Sequence, residues 1–288
     1  MRPSRRRGLA ALACLIAAGA ITGMAAARPL DEVTASGVLR VAIYDDNRPF
    51  SEAGKAAPRG IDADIAQAIA ERLKLKLDLR VVDAGENVDG DFRLNLWRGD
   101  LAGTPLADLM LHVPHDRILA TRNEQIFLTN PYFEQRLAFT YHRGRIEGLE
   151  GVRDLEGHSV AVEGTSASDS LLMNAEGGRF RGQIRHFRSF DEAAKAYLAG
   201  ETPILAGTLA GIEAALAAAG AAGEDNPVVE VPIPGLVRTR WDLGGAVRSD
   251  SRDLAYAVGD ALAALAQEGR LKAICATYGV TYTAPQGY

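Results

Sequence analysis

Polar and aromatic side chains follow three predicted buried strands, and their types suit the binding of a small molecule. The strands are predicted at 38–43, 108–111 and 159–162. The candidate residues after them are Tyr44, Asp45, Asn47, Phe50, His112, Gly164, Thr165 and Ser166. Open α/β sheets bind ligands beyond the carboxyl ends of their strands. The sequence therefore predicts a binding site at this edge.

The same residues allow other interpretations. Small and hydroxyl residues at 164–168 either cap a helix or receive an anion on free backbone N–H groups. His112 and His115, near Asp108 and Asp116, form an incomplete metal-ligand set, so we predict no metal site. The chain lacks the G-x-S-x-G, Walker and G-x-G-x-x-G motifs, and we predict no cofactor and no catalytic residue.

Strand and helix patterns alternate in two parts of the chain. Isoleucines and Leu73 recur every four residues between 61 and 73, flanked by apolar strands at 38–43 and 75–81, which predicts a parallel βαβ unit. A similar order of strand, loop and helix returns after residue 144. Extended segments near 137–141 and 227–234 join the two parts. We predict an α/β protein with two lobes facing a cleft.

The composition indicates an exported globular protein. The 288 residues are 47% hydrophobic, enough for one large or two ordinary domains. Basic residues at 1–7, an apolar stretch to 21 and Ala25-Ala-Ala27 predict a signal peptide over 1–27 that is cleaved on export. Its removal takes Lys plus Arg from 32 to 28 against 37 acids, a net charge of −9, which argues against nucleic-acid binding. Cys275 would then be the sole cysteine and is predicted to be buried.

Five stretches together resemble family 3 extracytoplasmic solute-binding proteins, the group that includes amino-acid receptors of ABC importers. They lie at 37–51, 60–70, 130–133, 154–165 and 263–280. The resemblance implies the two-lobed, class II periplasmic binding protein fold, with two hinge crossovers between the lobes. Lobe 1 would comprise 28–139 and 242–288, and lobe 2 would comprise 140–241. It also implies a monomeric periplasmic protein that captures a small solute for an ABC permease.

The resemblance also suggests roles for individual residues. In amino-acid receptors of this family an arginine after the third strand grips the ligand carboxylate, which points here to Arg117, with Arg122 as a rival. Where those receptors place an aspartate for the ligand ammonium group, this chain has Gly207 followed by Thr208. Asp45 or Glu163 is a possible substitute. We therefore expect an anionic or polar small solute.

Four shorter stretches, at 92–97, 108–114, 116–121 and 206–212, are similar to a branch associated with quinoprotein dehydrogenases. This similarity implies an alternative role as a periplasmic accessory protein, with a PQQ-dependent alcohol dehydrogenase or a cytochrome c as partner. A third possibility is an enzyme on the same fold that resembles cyclohexadienyl dehydratases. The main expectation is a solute receptor without catalytic activity.

Overall fold

The computed structural model describes residues 28–232 and 238–286, and the predicted signal peptide lies outside this range. The strands in this part of the chain are β1 (Val38–Tyr44), β2 (Lys76–Val82), β3 (Leu109–Pro114), β4 (Ile126–Leu128), β5 (Phe133–Tyr141), β6 (Val160–Glu163), β7 (Ile184–Phe187), β8 (Ile204–Thr208), β9 (Val228–Val229) and β10 (Arg240–Arg248). The α-helices are α1 (Leu30–Ser36), α2 (Ile61–Arg72), α3 (Val88–Phe92), α4 (Arg117–Arg122), α5 (Ala167–Asn174), α6 (Phe190–Leu198), α7 (Leu209–Ala218), α8 (Arg252–Gln267) and α9 (Arg270–Thr277).

Hydrogen bonds link the strands in the order β2-β1-β3-β10-β5-β8-β6-β7, with β4 beside β10 and β9 beside β5. The pairs β1–β2 and β1–β3 are parallel, as are β6–β7 and β6–β8. Strand β5 is antiparallel to both of its main partners: its first part pairs with β10 and its second part, from Leu137, pairs with β8. We call the strands before this change of partner the first half of the sheet and those after it the second half.

Each half of the sheet has hydrophobic cores of its own. In the first half, α2 and α8 pack with β1 and β3, and Ile65 and Val258 are fully buried there. In the second half, Val162, Phe180 and Ile204 lie in a separate cluster. Full burial of such a side chain contributes about 1.5–3 kcal/mol. The predicted lobe boundaries at 139 and 242 fall in β5 and β10, the strands that join the halves.

Helix α2 shows how the sequence fixes this architecture. Ile61, Ile65 and Ile69 all point into the first core, as their four-residue spacing predicts. Gly60 precedes the helix with φ +127°, and a side chain there would meet the carbonyl oxygen of Phe50 at 2.2 Å. Glycine is therefore required where the loop after β1 turns into α2.

The predicted α/β class and alternation of elements are confirmed, with differences at short elements. A π-helical turn, Arg93–Trp97, follows α3 directly. Helices α1 and α4 and strand β4 were not predicted, because each is too short to show a clear period. Cys275 is buried, as expected. Within the described ranges, no helix combines the length and apolar character needed to cross a bilayer.

Candidate functional site

A cavity of about 240 Å³ lies where the two halves of the sheet meet. From the first half and its loops it is lined by Asp46, Asn47, Arg48, Phe50, His112, Gln135, Leu137 and Trp241. From the second half it is lined by Glu163, Ser166, Ala167, Ser168, Ser189, Phe190, Asp191, Ala206, Gly207 and Thr208. We call this cavity the cleft. Strand ends and helix starts from both halves thus form its wall.

The junction strands provide the floor of the cleft. Gln135 and Leu137 are two residues apart on β5 and therefore share one face. Their cross-strand partners are Trp241 on β10 and Thr208 on β8, which also line the cleft. Gln135 is only 3% exposed, and its Oε1 atom has no hydrogen-bond partner. A buried amide oxygen without a partner is costly, and a bound hydrogen-bond donor would remove that cost.

One imidazole in the cleft is oriented by a buried carboxylate. His112 Nδ1 lies 3.0 Å from Asp62 Oδ2, and Tyr132 donates its hydroxyl to Asp62 Oδ1 at 2.6 Å. Asp62 is fully buried on the first turn of α2. A neutral His112 that donates Nδ1–H to Asp62 presents Nε2 as an acceptor. The Phe50 ring meets the imidazole edge-on at a centroid distance of 4.6 Å.

The backbone at His112 supports a special role for this residue. Its φ is +62°, in the left-handed region that a non-glycine residue rarely adopts. Such a conformation costs about 1–3 kcal/mol and persists only where the surroundings enforce it. Here the His112 backbone N–H donates to the Tyr132 hydroxyl, which in turn donates to Asp62. Asp62 and Tyr132 therefore fix both the ring and the main chain of His112.

The charged side chains of the cleft are mostly acidic. Asp46, Glu163 and Asp191 line it, and among the described lining residues Arg48 alone is permanently cationic. Burial raises the pKa of Glu163, and the negative charges of Asp46 and Asp191 add to this effect. A cation bound beside Glu163 would counter both causes.

Arg48 forms ion pairs with two carboxylates of the protein. It donates to Asp191 Oδ2 at 2.8 Å, and its Nη2 lies 2.6 Å from Glu52 Oε2. Arg48 belongs to the loop after β1 and Asp191 to the first turn of α6, so the first pair joins the two halves of the protein across the cleft. Exposed pairs of this kind contribute about 0–1 kcal/mol. The guanidinium is thus already engaged on two sides.

The ring of Phe190 packs against Gly207, the position at which the sequence lacks the expected acid. A Cβ atom on Gly207 would lie 2.3 Å from Cε2 of Phe190, so no side chain fits at this position without moving the ring. Phe190 is the first residue of α6, and Ser189 caps that helix by accepting a hydrogen bond from the Glu192 N–H. Gly207 is therefore required by the packing of Phe190 against β8.

The structure brings six of the predicted residues together at the cleft: Asn47, Phe50, His112, Ser166, Gly207 and Thr208. Ser166 and Thr208 also cap α5 and α7 through their hydroxyl groups. The capping and binding interpretations of this segment are thus compatible. The Nδ2 atom of Asn47 is buried without a partner, which leaves a hydrogen-bond donor available.

Tyr44, Asp45, Gly164 and Thr165 are near the cleft but do not line it. The Tyr44 hydroxyl donates to Asp91 at 2.8 Å, and burial raises its pKa. Asp45 accepts hydrogen bonds from the backbone of Asp46 and Ala53, so its carboxylate shapes the loop. Gly164 bonds to β7, and the Thr165 N–H donates to Asp169. These four residues stabilise the loops around the cleft.

Arg117 is not brought to the cleft. Asp116 caps α4 directly after β3, and Arg117 follows as an exposed residue on the first turn of that short helix. The rival Arg122 is also exposed and pairs with Asp89. Neither guanidinium lines the cleft, so the carboxylate grip suggested by the family resemblance has no counterpart at these positions.

Several lining residues were not predicted: Gln135, Leu137, Ser189, Phe190, Asp191 and Trp241. A signal existed for the segment 189–191, because Ser189 with Glu192 is a capping-box pattern after a predicted strand. Gln135 and Trp241 carry no such signal, since their position follows from the pairing of β5 with β10. No group of three metal-ligating side chains occurs in the described part of the chain.

The replacement Asp62→Asn tests how His112 is held. We expect the free energy of unfolding to fall by about 1–3 kcal/mol, since a buried charged acceptor is lost. We also expect ¹⁵N chemical shifts of the His112 ring to report a changed tautomer ratio. Asp64→Asn is the matched control, because Asp64 lies on the same turn and accepts from Tyr278 instead. An unchanged His112 spectrum in Asp62→Asn would contradict this account.

The contact between Gly207 and Phe190 predicts coupled effects of mutation. Gly207→Ala should lower the free energy of unfolding by about 1–3 kcal/mol, because the added methyl group overlaps the ring. Combined with Phe190→Leu, the same change should cost less than it does alone, which a double-mutant cycle by chemical denaturation measures. Gly182→Ala is the control, since a Cβ atom there meets nothing within 4 Å. Additive effects would show that the ring does not restrict this position.

Comparison with known proteins places the fold. No family model matches the chain. The chain is 43% identical over 81 residues to cyclohexadienyl dehydratase of Pseudomonas aeruginosa, which covers 27% of this chain and 29% of that enzyme. The chain therefore matches less than a third of the length of this curated relative.

Solved structures match over most of the chain. An ancestral cationic amino acid solute-binding protein superposes with a TM-score of 0.67 at 22% identity, covering 86% of this chain and 98% of that one. An amino acid ABC transporter substrate-binding protein from Streptococcus pneumoniae, bound to L-arginine, gives 0.61 at 21% identity, covering 88% and 98%. The predicted fold is confirmed: the chain has the two-lobed α/β fold of periplasmic binding proteins.

Proposed function

We propose that this protein is an extracytoplasmic solute-binding protein that holds a small amine-bearing solute in the cleft. The predicted lobes, 28–139 with 242–288 and 140–241, would close about β5 and β10. An ABC permease is the proposed partner and the periplasm the proposed location. The similar structures in the comparisons are solute-binding proteins by their titles, which supports this role.

The observation that carries the proposal is an acidic cleft with an unsatisfied acceptor at its floor. Three carboxylates line it, and the buried Gln135 Oε1 lacks a donor. A protonated amine supplies both a positive charge and N–H groups. Phe190 and Trp241 add partly exposed aromatic rings to the lining, and the faces of such rings attract cations.

The anionic solute expected from the sequence is not supported. The expectation of an anionic or polar solute was motivated by the missing acid at Gly207. Arg117 and Arg122 lie outside the cleft, whereas Asp46 from the loop after β1 and Asp191 from α6 line it with carboxylates. A bound anion would face these carboxylates with Arg48 already paired. The proposed solute is therefore cationic or zwitterionic.

A thermal-shift screen of amino acids, amines and organic acids tests this function. At a concentration 100 times its Kd a solute stabilises the folded state by about 2.7 kcal/mol. For a chain of this size that corresponds to a rise in Tm of roughly 5–10 °C. We expect amine-bearing solutes to produce such a rise and dicarboxylic acids to produce none. Shifts with organic acids alone would contradict the proposal.

The replacement Gln135→Leu makes the test specific to the cleft. The change removes an unpartnered polar group, so the free energy of unfolding should stay equal or rise. The affinity for the solute found in the screen should fall at least tenfold, which corresponds to a loss of about 1.4 kcal/mol. Gln183→Leu is the matched control, since Gln183 Oε1 is also buried without a partner but does not line the cleft. Equal affinities in the two variants would exclude Gln135 from binding.

A second candidate is a dehydratase acting on a cyclohexadienyl substrate. The observation that favours it is the strained His112 of the cleft, oriented by Asp62, since an imidazole with a carboxylate partner is a common general acid or base. The partial match to the P. aeruginosa enzyme agrees with this candidate. The accessory role with a quinoprotein dehydrogenase has no support from the structures compared above.

Loss of water from a cyclohexadienol creates an aromatic ring, so the second candidate predicts a new ultraviolet absorbance on incubation with such substrates. His112→Gln should reduce that rate by about 10²-fold or more if the imidazole transfers a proton. His158→Gln is the control, because His158 lies outside the cleft lining. Turnover that is equal in both variants would remove His112 from the chemistry, and absence of turnover leaves the binding role.

A further inference from the structure

We propose that the solute of the cleft is an organic cation without a carboxylate group, such as a primary amine or guanidine, and that the cleft selects against the corresponding amino acid. This inference rests on the proposed solute-binding function and specifies its substrate class. It follows from which charges and which hydrogen-bonding atoms the cleft leaves unpaired.

The positive charge of the cleft is already neutralised. Arg48 pairs with Asp191 at 2.8 Å and with Glu52 at 2.6 Å. To bind a carboxylate, Arg48 would have to leave a partner, and Asp191 would then face the bound anion from the same wall. Bringing like charges together costs free energy, and leaving a desolvated carboxylate unpaired costs more.

The negative charges of the cleft are not all neutralised. Glu163 is half-buried, forms no ion pair among the salt bridges found in the described residues, and faces Asp46 and Asp191. A protonated amine next to Glu163 would relieve this repulsion. The cleft wall thus carries more negative than positive charge. A cation complements this excess fully, and a zwitterion complements it only in part.

The unpartnered neutral atoms independently indicate a donor-rich ligand. Gln135 is nine-tenths buried or more, and its Oε1 accepts nothing. His112 Nε2, opposite the nitrogen bound to Asp62, is a second acceptor when the ring is neutral. Amine or guanidine N–H groups satisfy both. Asn47 Nδ2 is a buried donor without a partner, and a ligand oxygen would supply its acceptor.

No arginine of α4 supplies a carboxylate grip in the cleft. Arg117 and Arg122 are both exposed and neither lines it. An α-carboxylate would therefore meet the neutral serines at 166, 168 and 189 and the backbone, without a free guanidinium among the described lining residues. The start of α5 thus offers a carboxylate hydrogen bonds and the partial positive charge of a helix N-terminus, but no full positive charge.

Isothermal titration with matched ligands tests the inference. The series are L-arginine, L-argininamide and agmatine, and L-lysine, L-lysinamide and cadaverine. Within each series the amide has nearly the size of the amino acid without its negative charge, and the decarboxylated amine lacks the group altogether. We expect the amide, the decarboxylated amine or both to bind at least tenfold more tightly than the amino acid in at least one series.

The outcomes separate this inference from the proposed function. If the amino acid binds as tightly as, or more tightly than, both the amide and the decarboxylated amine, the proposal of a solute without a carboxylate is wrong. The proposed solute-binding function would then remain. No binding of any member by titration, with no thermal shift in the broader screen, would overturn both.

Two variants locate the selection. Glu163→Gln should weaken binding of the best cation at least tenfold, whereas Glu150→Gln, the same change at an exposed residue outside the cleft, should not. Asp191→Asn removes a carboxylate and frees one side of Arg48, so it should reduce the preference for the amide over the amino acid several-fold. A preference that is unchanged in Asp191→Asn would contradict the role assigned to the Arg48 pair.

Discussion

The cleft depends on one buried carboxylate. Asp62 is fully buried, yet it contacts the Tyr132 hydroxyl and the His112 ring, and its N–H donates to the Phe50 carbonyl. Helix α2, strand β3 and the segment that enters β5 are thereby held in one arrangement. A buried charge is tolerated only with such partners. The position of Asp62 on the first turn of α2 adds the favourable field of the helix N-terminus.

Several residues of the cleft wall lower the stability of the folded protein. Gln135 and Asn47 keep polar atoms without partners, Glu163 is held near two other acids, and His112 has a strained backbone. Each of these features lowers the stability of the empty protein, and the large cores around β1 and β6 offset the loss. A solute bound as proposed would relieve these features of the cleft wall together.

Long periodic elements were predictable from the sequence, and the cleft only in part. The isoleucines of α2 and the apolar strands have one physical solution, burial of a single face. Arg117 was misplaced because the sequence shows the order of residues after β3 but not the direction in which α4 turns them. Gly207 suggested a missing charge, whereas the ring of Phe190, distant by 17 positions, determines the residue there. Gln135 and Trp241 face each other only through antiparallel pairing, which no local pattern encodes.

Strand β5 runs through both halves of the sheet, and Trp241 packs on the cores of both. The angle between the halves therefore depends on the packing on either side. A bend in β5 would move Gln135 and Leu137, which form the floor of the cleft. Mutations deep in either core would therefore alter the geometry of the cleft without changing a residue of its wall. If the cleft binds a solute as proposed, its affinity would change with the packing of the interior.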